Sequence, residues 1–230
     1  MFLRRLRMID LVKLPLRQTE SEFSAVEQEA LQSASNTAIV DVRGWLKFGE
    51  GHFPGSWNIV LESADFAKSA GIFVERKGRI LLVSEDYGQA HRARLKLLRA
   101  GFRHIEGFIE AHKLAALHRI TQLAAADLRS TLSRGGKPAL LDVRSSREYW
   151  SASIPESTNI PLETLPVRFA ELSTSRPLVV ICQDGYRSAV ASSWLQSKGF
   201  ESVHHLIGGM NAYGDVSSTE FLPEPSLSAA

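Results

Sequence analysis

The chain of 230 residues contains one cysteine. That excludes an internal disulfide framework and any cysteine-based zinc cluster. Two roles remain for the thiol: a small buried hydrophobe, or a reactive nucleophile. An excess of charge of one sign is also missing. Lys and Arg number 27 against 25 Asp and Glu, a net charge of +2, too balanced to argue for a nucleic-acid or membrane surface. No window approaches the roughly 20 apolar residues of a membrane span. Ligand spacing is absent among the histidines: His52, His91, His104, His112 and His118 are scattered, and adjacent His204 and His205 would point to opposite faces of a strand. No metal and no cofactor is therefore expected. What is present is a 44% hydrophobic content, enough for real cores, and a length that suits two domains of about 100 residues.

The ends of the chain differ from its body. Arg4, Arg5, Arg7, Lys13 and Arg17 stand among apolar residues, but Asp10, Lys13 and Pro15 interrupt every apolar run. A secretory core of ~7–15 apolar residues does not form. An N-terminal arm or short helix packed on the body is expected, with a mitochondrial presequence as the competing reading. The tail from Val216, rich in Ser, Pro and Ala, reads as a loose end. The expected location is the cytoplasm.

The body repeats itself. Ala38-Ile39-Val40-Asp41-Val42-Arg43 recurs as Ala139-Leu140-Leu141-Asp142-Val143-Arg144, at an offset of 101 residues. Gly51-His52-Phe53-Pro54-Gly55-Ser56-Trp57-Asn58-Ile59 recurs at the same offset as Ala152-Ser153-Ile154-Pro155-Glu156-Ser157-Thr158-Asn159-Ile160. Ala100-Gly101-Phe102 then matches Lys198-Gly199-Phe200 at an offset of 98. So long a period indicates a duplicated domain rather than a solenoid unit. Two domains are expected, 1–116 and 117–230, joined somewhere in 112–121, where Thr121 is placed to cap a helix containing Leu123 and Leu128.

Each copy alternates strands and helices. Residues 139–143 and 178–181 are short apolar runs, as in strands buried on both faces. Residues 187–198 then put Val190, Ala191, Trp194 and Leu195 on one helical stripe, with Gly199 as the stop signal. Residues 203–206 read as a further strand. Such alternation implies right-handed crossovers and an α/β fold with a parallel sheet flanked by helices in each copy.

Cys182 directly follows the strand at 178–181, and Gln183, Asp184, Gly185, Tyr186, Arg187 and Ser188 link it to the next helix. Ligand sites in open α/β sheets form at the carboxyl ends of strands. A tight loop opening a helix turns several backbone N–H groups inward at the positive end of the helix dipole. A thiol there is expected to ionise well below its free value of about 8.5. Gly185 allows a backbone conformation that Cβ would resist, and Arg187 can close the rim with donors suited to an oxyanion.

Asp142-Val143-Arg144, Glu148, Ile154-Pro155, Asn159-Ile160-Pro161, the loop Cys182 to Ser188, and Ile207-Gly208-Gly209-Met210 together resemble the rhodanese family of sulfurtransferases. The resemblance covers roughly 36–115 and 121–215 and is more specific in the second half. It implies tandem rhodanese-like domains and a persulfide mechanism. Cys182 would take sulfane sulfur from a small anionic donor such as thiosulfate and pass it to a thiol, a protein acceptor or cyanide. Gln183, Asp184, Gly185, Tyr186, Arg187 and Ser188 would bind the substrate, while Asp142 and Arg144 would support the loop by ion pairing. Four residues separate Cys182 from Arg187, where the phosphatases and arsenate reductases built on such a cradle use five, so the pocket should suit sulfur better than phosphate. Asp184 disfavours a doubly charged ester, and it weighs against thiosulfate too.

The first copy has Ser84-Glu85-Asp86-Tyr87-Gly88-Gln89-Ala90 at the corresponding place. Ser84 stands where Cys182 is and Gln89 where Arg187 is, so this copy is expected to be inert, a scaffold for its neighbour. Trp45, Trp57, Trp150 and Trp194 read as core or domain-contact residues, and 92–96 as a solvated helix face. A non-enzymatic docking module, or a dedicated protein-to-protein sulfur relay, is the alternative to a general sulfurtransferase.

Overall fold

The computed structural model describes residues 23–32, 36–115 and 117–214. The expectations for the basic N-terminal arm and for the tail from Val216 fall outside the described residues.

The first domain runs α1 (Gln28–Gln32), β1 (Thr37–Asp41), α2 (Trp45–Glu50), β2 (Trp57–Asn58), α3 (Phe66–Phe73), β3 (Arg79–Ser84), α4 (Tyr87–Arg99) and β4 (His104–Glu110). Its sheet has the order β2-β1-β3-β4, with every pairing parallel. The second domain runs β5 (Thr121–Leu123), α5 (Ala125–Ser133), β6 (Ala139–Asp142), α6 (Ser146–Ser151), β7 (Thr158–Asn159), α7 (Leu165–Arg168), β8 (Leu178–Ile181), α8 (Tyr186–Ser197), β9 (Val203–Leu206) and α9 (Gly209–Gly214). Its sheet, also parallel, has the order β5-β9-β8-β6-β7. The central strands are apolar on both faces because helices cover both: all four residues of β8 are buried.

Register makes the duplication concrete. Asp41 pairs with Val83 across β1 and β3, and Asp142 with Ile181 across β6 and β8. The next amides repeat the match, Val42 N–H to the Val83 carbonyl and Val143 N–H to the Ile181 carbonyl, both at 2.9 Å. Ser84 and Cys182 therefore leave equivalent strands at equivalent points.

The strand and helix that flank the cysteine lie where the sequence puts them, but four details differ. Thr121 caps nothing. It is the first residue of β5, paired with His204 of β9, and α5 begins at Ala125 without a side-chain cap. Helix α8 is buried continuously from Ser188 to Leu195 rather than along one stripe, because the first domain covers its other side. Trp150 is 82% exposed and belongs to neither core nor domain contact. Within 92–96, Ala93 and Arg94 are buried, the Arg94 guanidinium lying over the Phe23 ring, so that segment is only partly a solvated face.

The seam between the domains is built on β2, α2 and α8. Ser193 Oγ accepts the Asn58 amide at 2.8 Å, Trp57 Nε1–H donates to Ser197 Oγ at 3.1 Å, and His52 Nε2 lies 2.9 Å from Gln196 Oε1. Phe73 meets Trp194 with ring centres 5.2 Å apart, and Lys68 pairs with Glu163 at 3.0 Å. No helix among the described residues is long and apolar enough to cross a membrane.

Candidate active site

Strand β8 ends at Ile181 and α8 begins at Tyr186, so four residues turn the chain. Gly185 makes the turn with φ +100°, in the left-handed region that suits glycine. The turn aims the Gly185 N–H at Cys182 Sγ, 3.1 Å away. Ser188 Oγ lies 3.2 Å from the same sulfur and donates its own hydrogen to the Gly185 carbonyl at 3.1 Å. With that hydrogen committed, the thiol proton has two acceptors in reach, Ser188 Oγ and the Asp184 carboxylate. Asp184 Oδ1 stands 3.8 Å from Sγ and accepts the Tyr186 amide at 3.3 Å.

A further set of contacts fixes the loop from behind. The Cys182 carbonyl accepts the Met210 amide at 2.7 Å and the Gln183 carbonyl the Asn211 amide at 2.9 Å. Gly209 makes this approach feasible: its φ is +56°, and a Cβ there would overlap the Cys182 carbonyl oxygen. The buried Asp142–Arg144 pair also reaches the loop. Arg144 Nη1 donates to Gln183 Oε1 at 3.0 Å and Nη2 to the Ala152 carbonyl at 2.6 Å. His205 Nε2 lies 3.0 Å from the Gly185 carbonyl and its Nδ1 2.9 Å from Gln122 Oε1; both oxygens are acceptors, so the ring's single N–H serves one of them at a time.

Arg187 does not close the rim over the sulfur. Its Nη2 and Nη1 grip Glu148 Oε1 and Oε2 at 2.7 and 2.9 Å. Glu148 is itself anchored, because Oε2 accepts both the amide and the hydroxyl of Ser145 in a capping box that opens α6. The Arg187 hydrogen bonds hold the Glu148 carboxyl down at about 2.

The expected depression of the Cys182 pKa is absent as well. The side chain is wholly buried, and that burial pushes the thiol up from its ordinary value, outweighing the hydrogen bonds from Ser188 and the loop. Burial likewise draws His205 down to about 4, so the ring beside the loop is neutral.

The first domain's loop is made differently. Asp86 caps α4 by accepting the Gln89 amide at 2.7 Å, and Gln89 Oε1 turns back to take the Glu85 amide at 2.8 Å. Ser84 Oγ, buried, donates to the Asp86 carbonyl at 3.0 Å. The Glu85 and Gln89 amides are thus taken by the loop's own side chains, and Tyr87 stands where the second copy has the glycine that turns its amide inward.

The structure thus gathers Cys182, Gln183, Asp184, Gly185, Tyr186, Arg187, Ser188, Asp142 and Arg144 at the ends of the adjacent strands β6 and β8. Sequence reasoning missed His205, Gly209, Asn211 and Gln122 as supports of that loop. It named Glu148 without seeing it as the partner of Arg187. The Gly208-Gly209 pair was the one available signal. Among the described residues, no cluster of His, Cys, Asp or Glu is positioned to hold a metal ion.

Known sulfurtransferases are similar to parts of this chain. A "Sulfurtransferase" of Allochromatium vinosum is 28% identical over 94 residues, 41% of this chain and 88% of that protein. "Thiosulfate sulfurtransferase GlpE" of Pseudomonas savastanoi is 31% identical over 74 residues, 32% of this chain and 70% of that one. "Adenylyltransferase and sulfurtransferase MOCS3" of Arabidopsis thaliana is 30% identical over 109 residues, 40% of this chain but only 24% of the length of that protein. The rhodanese-like domain profile matches twice, at residues 24–114 and 124–215, and the chain belongs to the rhodanese-like family as a tandem of two such domains.

Proposed function

We propose that the protein is a sulfurtransferase that carries sulfane sulfur as a persulfide on Cys182, with the second domain catalytic and the first inert. The observation that carries this reading is the aim of the Gly185 amide and the Ser188 hydroxyl at one buried sulfur. In the resting pocket they hold a thiol. Once the proton leaves, Ser188 can turn its hydrogen from the Gly185 carbonyl to the sulfur, so two donors face the anion where one did before.

In the first half-reaction the Cys182 thiolate attacks the outer sulfur of thiosulfate. The sulfur–sulfur bond of the donor breaks and sulfite departs with its electron pair, leaving Cys182–S–S⁻. In the second, a thiolate or cyanide attacks the terminal sulfur and the Cys182 thiolate leaves. A lone cysteine cannot resolve the persulfide as a disulfide within the chain, so the sulfur must go to another molecule. Use of thiosulfate is supported by the Pseudomonas savastanoi relative named for it. An unpaired cysteine also fits a reducing compartment such as the cytoplasm.

One feature favours the narrower reading of a dedicated relay. Arg187 is engaged by Glu148, and Asp184 adds a carboxylate at the mouth, so a small dianion finds the loop's own cation already paired. A donor that carries its sulfur on a thiol, such as a protein persulfide, would not need one. Incubation with thiosulfate followed by intact mass should show one added sulfur atom on the full chain, and none on Cys182→Ser. No added sulfur with thiosulfate or with a low-molecular-weight persulfide would refute the enzymatic reading and leave the docking module.

A further inference from the structure

The first domain lacks the cysteine, yet it reaches the second domain's cysteine loop. Trp45, the first residue of α2, lies edge-on to the Tyr186 ring at 4.9 Å and to the His205 ring at 6.0 Å. Tyr186 directly follows Gly185, and His205 Nε2 lies within hydrogen-bond distance, 3.0 Å, of the Gly185 carbonyl. The Trp45 ring also faces the side of Gly185 that carries no side chain: a Cβ built there would come within 3.7 Å of the indole. From below, Gln122 Nε2 donates to the Trp45 carbonyl at 3.1 Å while its Oε1 lies 2.9 Å from His205. The glycine whose N–H points at Sγ is thus gripped by one domain at its carbonyl and braced by the other at its flank.

Stability alone does not explain a tryptophan here. Trp45 Nε1 is buried without a hydrogen-bond partner among the described residues, as is Ser192 Oγ nearby. An unmet buried donor costs roughly 1–3 kcal/mol, and a phenylalanine would avoid that cost. What the indole supplies is reach across the seam to Tyr186 and His205.

We propose that Trp45 of the inert domain is a positioning residue for Cys182, acting with Gln122 and His205 to hold the Gly185 amide on the sulfur. This rests on the persulfide reading of Cys182. The first domain is then part of the working site rather than a bystander, and the second domain alone would hold its loop less well. Loss of the brace should leave the sulfur easier to reach but poorly aligned, which moves two measurements in opposite directions.

The test uses the full chain with Trp45→Ala, Gln122→Ala and Trp45→Phe, and with Ser197→Ala as a control that removes the Trp57 bond elsewhere on the seam. Iodoacetamide labelling of Cys182, followed by mass, should accelerate about threefold or more in Trp45→Ala and Gln122→Ala. Over the same variants kcat with thiosulfate should fall about fivefold or more, with KM changed less than twofold. Trp45→Phe, which keeps an aromatic ring but lacks the indole's reach, should recover the kcat only in part, and Ser197→Ala should match the wild type in both measurements. Any result in which labelling and kcat fail to move apart in Trp45→Ala and Gln122→Ala overturns the proposal. Should Trp45→Ala not fold, Gln122→Ala decides alone. Labelling reads the thiol without needing turnover, so it decides alone too if the wild type takes up no sulfur. That failure would count against the persulfide reading and not against the brace.

Discussion

Arg187 and Glu148 form a two-pronged ion pair, at 2.7 and 2.9 Å, beside the Cys182 loop. The carboxylate is the fixed member, since Ser145 holds it in the capping box, and the longer arginine side chain is the one able to leave. An incoming anion must therefore compete with Glu148 for the guanidinium at the mouth. The pair is part-exposed, so its net worth is that of a screened ion pair, on the order of 1 kcal/mol or less.

Glu148→Gln should raise kcat/KM for thiosulfate by roughly fivefold, the amount a screened pair of about 1 kcal/mol supplies. A thiol-borne persulfide, with one negative charge at most against two on thiosulfate, should gain less. Arg187→Ala should lower kcat/KM for thiosulfate. Steady-state kinetics with the two donors checks this, and a fall for thiosulfate in Glu148→Gln would mean that the carboxylate positions Arg187 for the donor instead of competing with it.

Burial raises the Cys182 pKa, so its alkylation should be slow at neutral pH and climb through and beyond the ordinary thiol range near 8.5. Labelling rate against pH, read by mass, provides the check. A plateau already reached by pH 7 would show a thiolate in the resting pocket. Ser188→Ala removes the hydroxyl partner at 3.2 Å and should slow sulfur uptake by roughly 10- to 100-fold, since a hydrogen bond to a charged group is worth roughly 1.5–3 kcal/mol.

The strand that delivers Cys182 was legible because Leu178–Ile181 is an uninterrupted apolar run followed by a loop with a glycine. The helix after it was legible in position but not in burial. Val190, Ala191, Trp194 and Leu195 read as one apolar stripe, yet Ser193 beside them is buried too: its Oγ accepts the Asn58 amide and donates back to the helix, so a small polar side chain is satisfied inside the seam. Thr121 misled because a three-residue strand is too short to show alternation against a good capping residue. Trp45, Gln122 and His205 meet at the loop only through the docking of two domains, and no periodicity within either copy records that docking. The Arg187–Glu148 pair is similarly a contact between elements 39 residues apart.

Stability should fall in two separate stages on acidification. His52 and His205 are each drawn from the ordinary 6.5 to about 4 by burial. Below pH 6.5 the unfolded chain takes up protons that the folded chain refuses, so stability drops from pH 6.5 towards 4 and the loss levels off beneath that. Glu148, held at about 2 chiefly by the Arg187 hydrogen bonds, stabilises above its ordinary 4.5 and loses that contribution as pH falls towards 2. Thermal melts of the wild type and His205→Gln across this range provide the measurement. The variant should show a shallower decline between pH 6.5 and 4 and the same decline below.

Ser84→Ala should leave sulfur transfer unchanged while costing about 1 kcal/mol, because it deletes one buried hydrogen bond to the Asp86 carbonyl. Ser84→Cys, made in the Cys182→Ser background, should take up no sulfur. Tyr87 stands where the inward-turned glycine would be needed, and Gln89 already occupies the Glu85 amide. Intact mass after thiosulfate treatment reads the second variant directly. An added sulfur atom on that double variant would show that a thiol at this strand end suffices without the cradle.

The second copy carries Glu156 where the first has Gly55, and the backbone is left-handed at both, with φ +63° and +81°. A side chain in that region costs roughly 1–3 kcal/mol, against the 0.5–1 kcal/mol of extra chain entropy that glycine loses on folding. Glu156→Gly should therefore stabilise the protein by about 1 kcal/mol. The turn lies next to the Ala152 carbonyl that anchors Arg144, but the substitution leaves that carbonyl in place, so sulfur transfer should not change. Urea denaturation followed alongside thiosulfate turnover tests both halves. A lower midpoint in Glu156→Gly would mean that the glutamate makes a compensating contact worth more than the strain it bears.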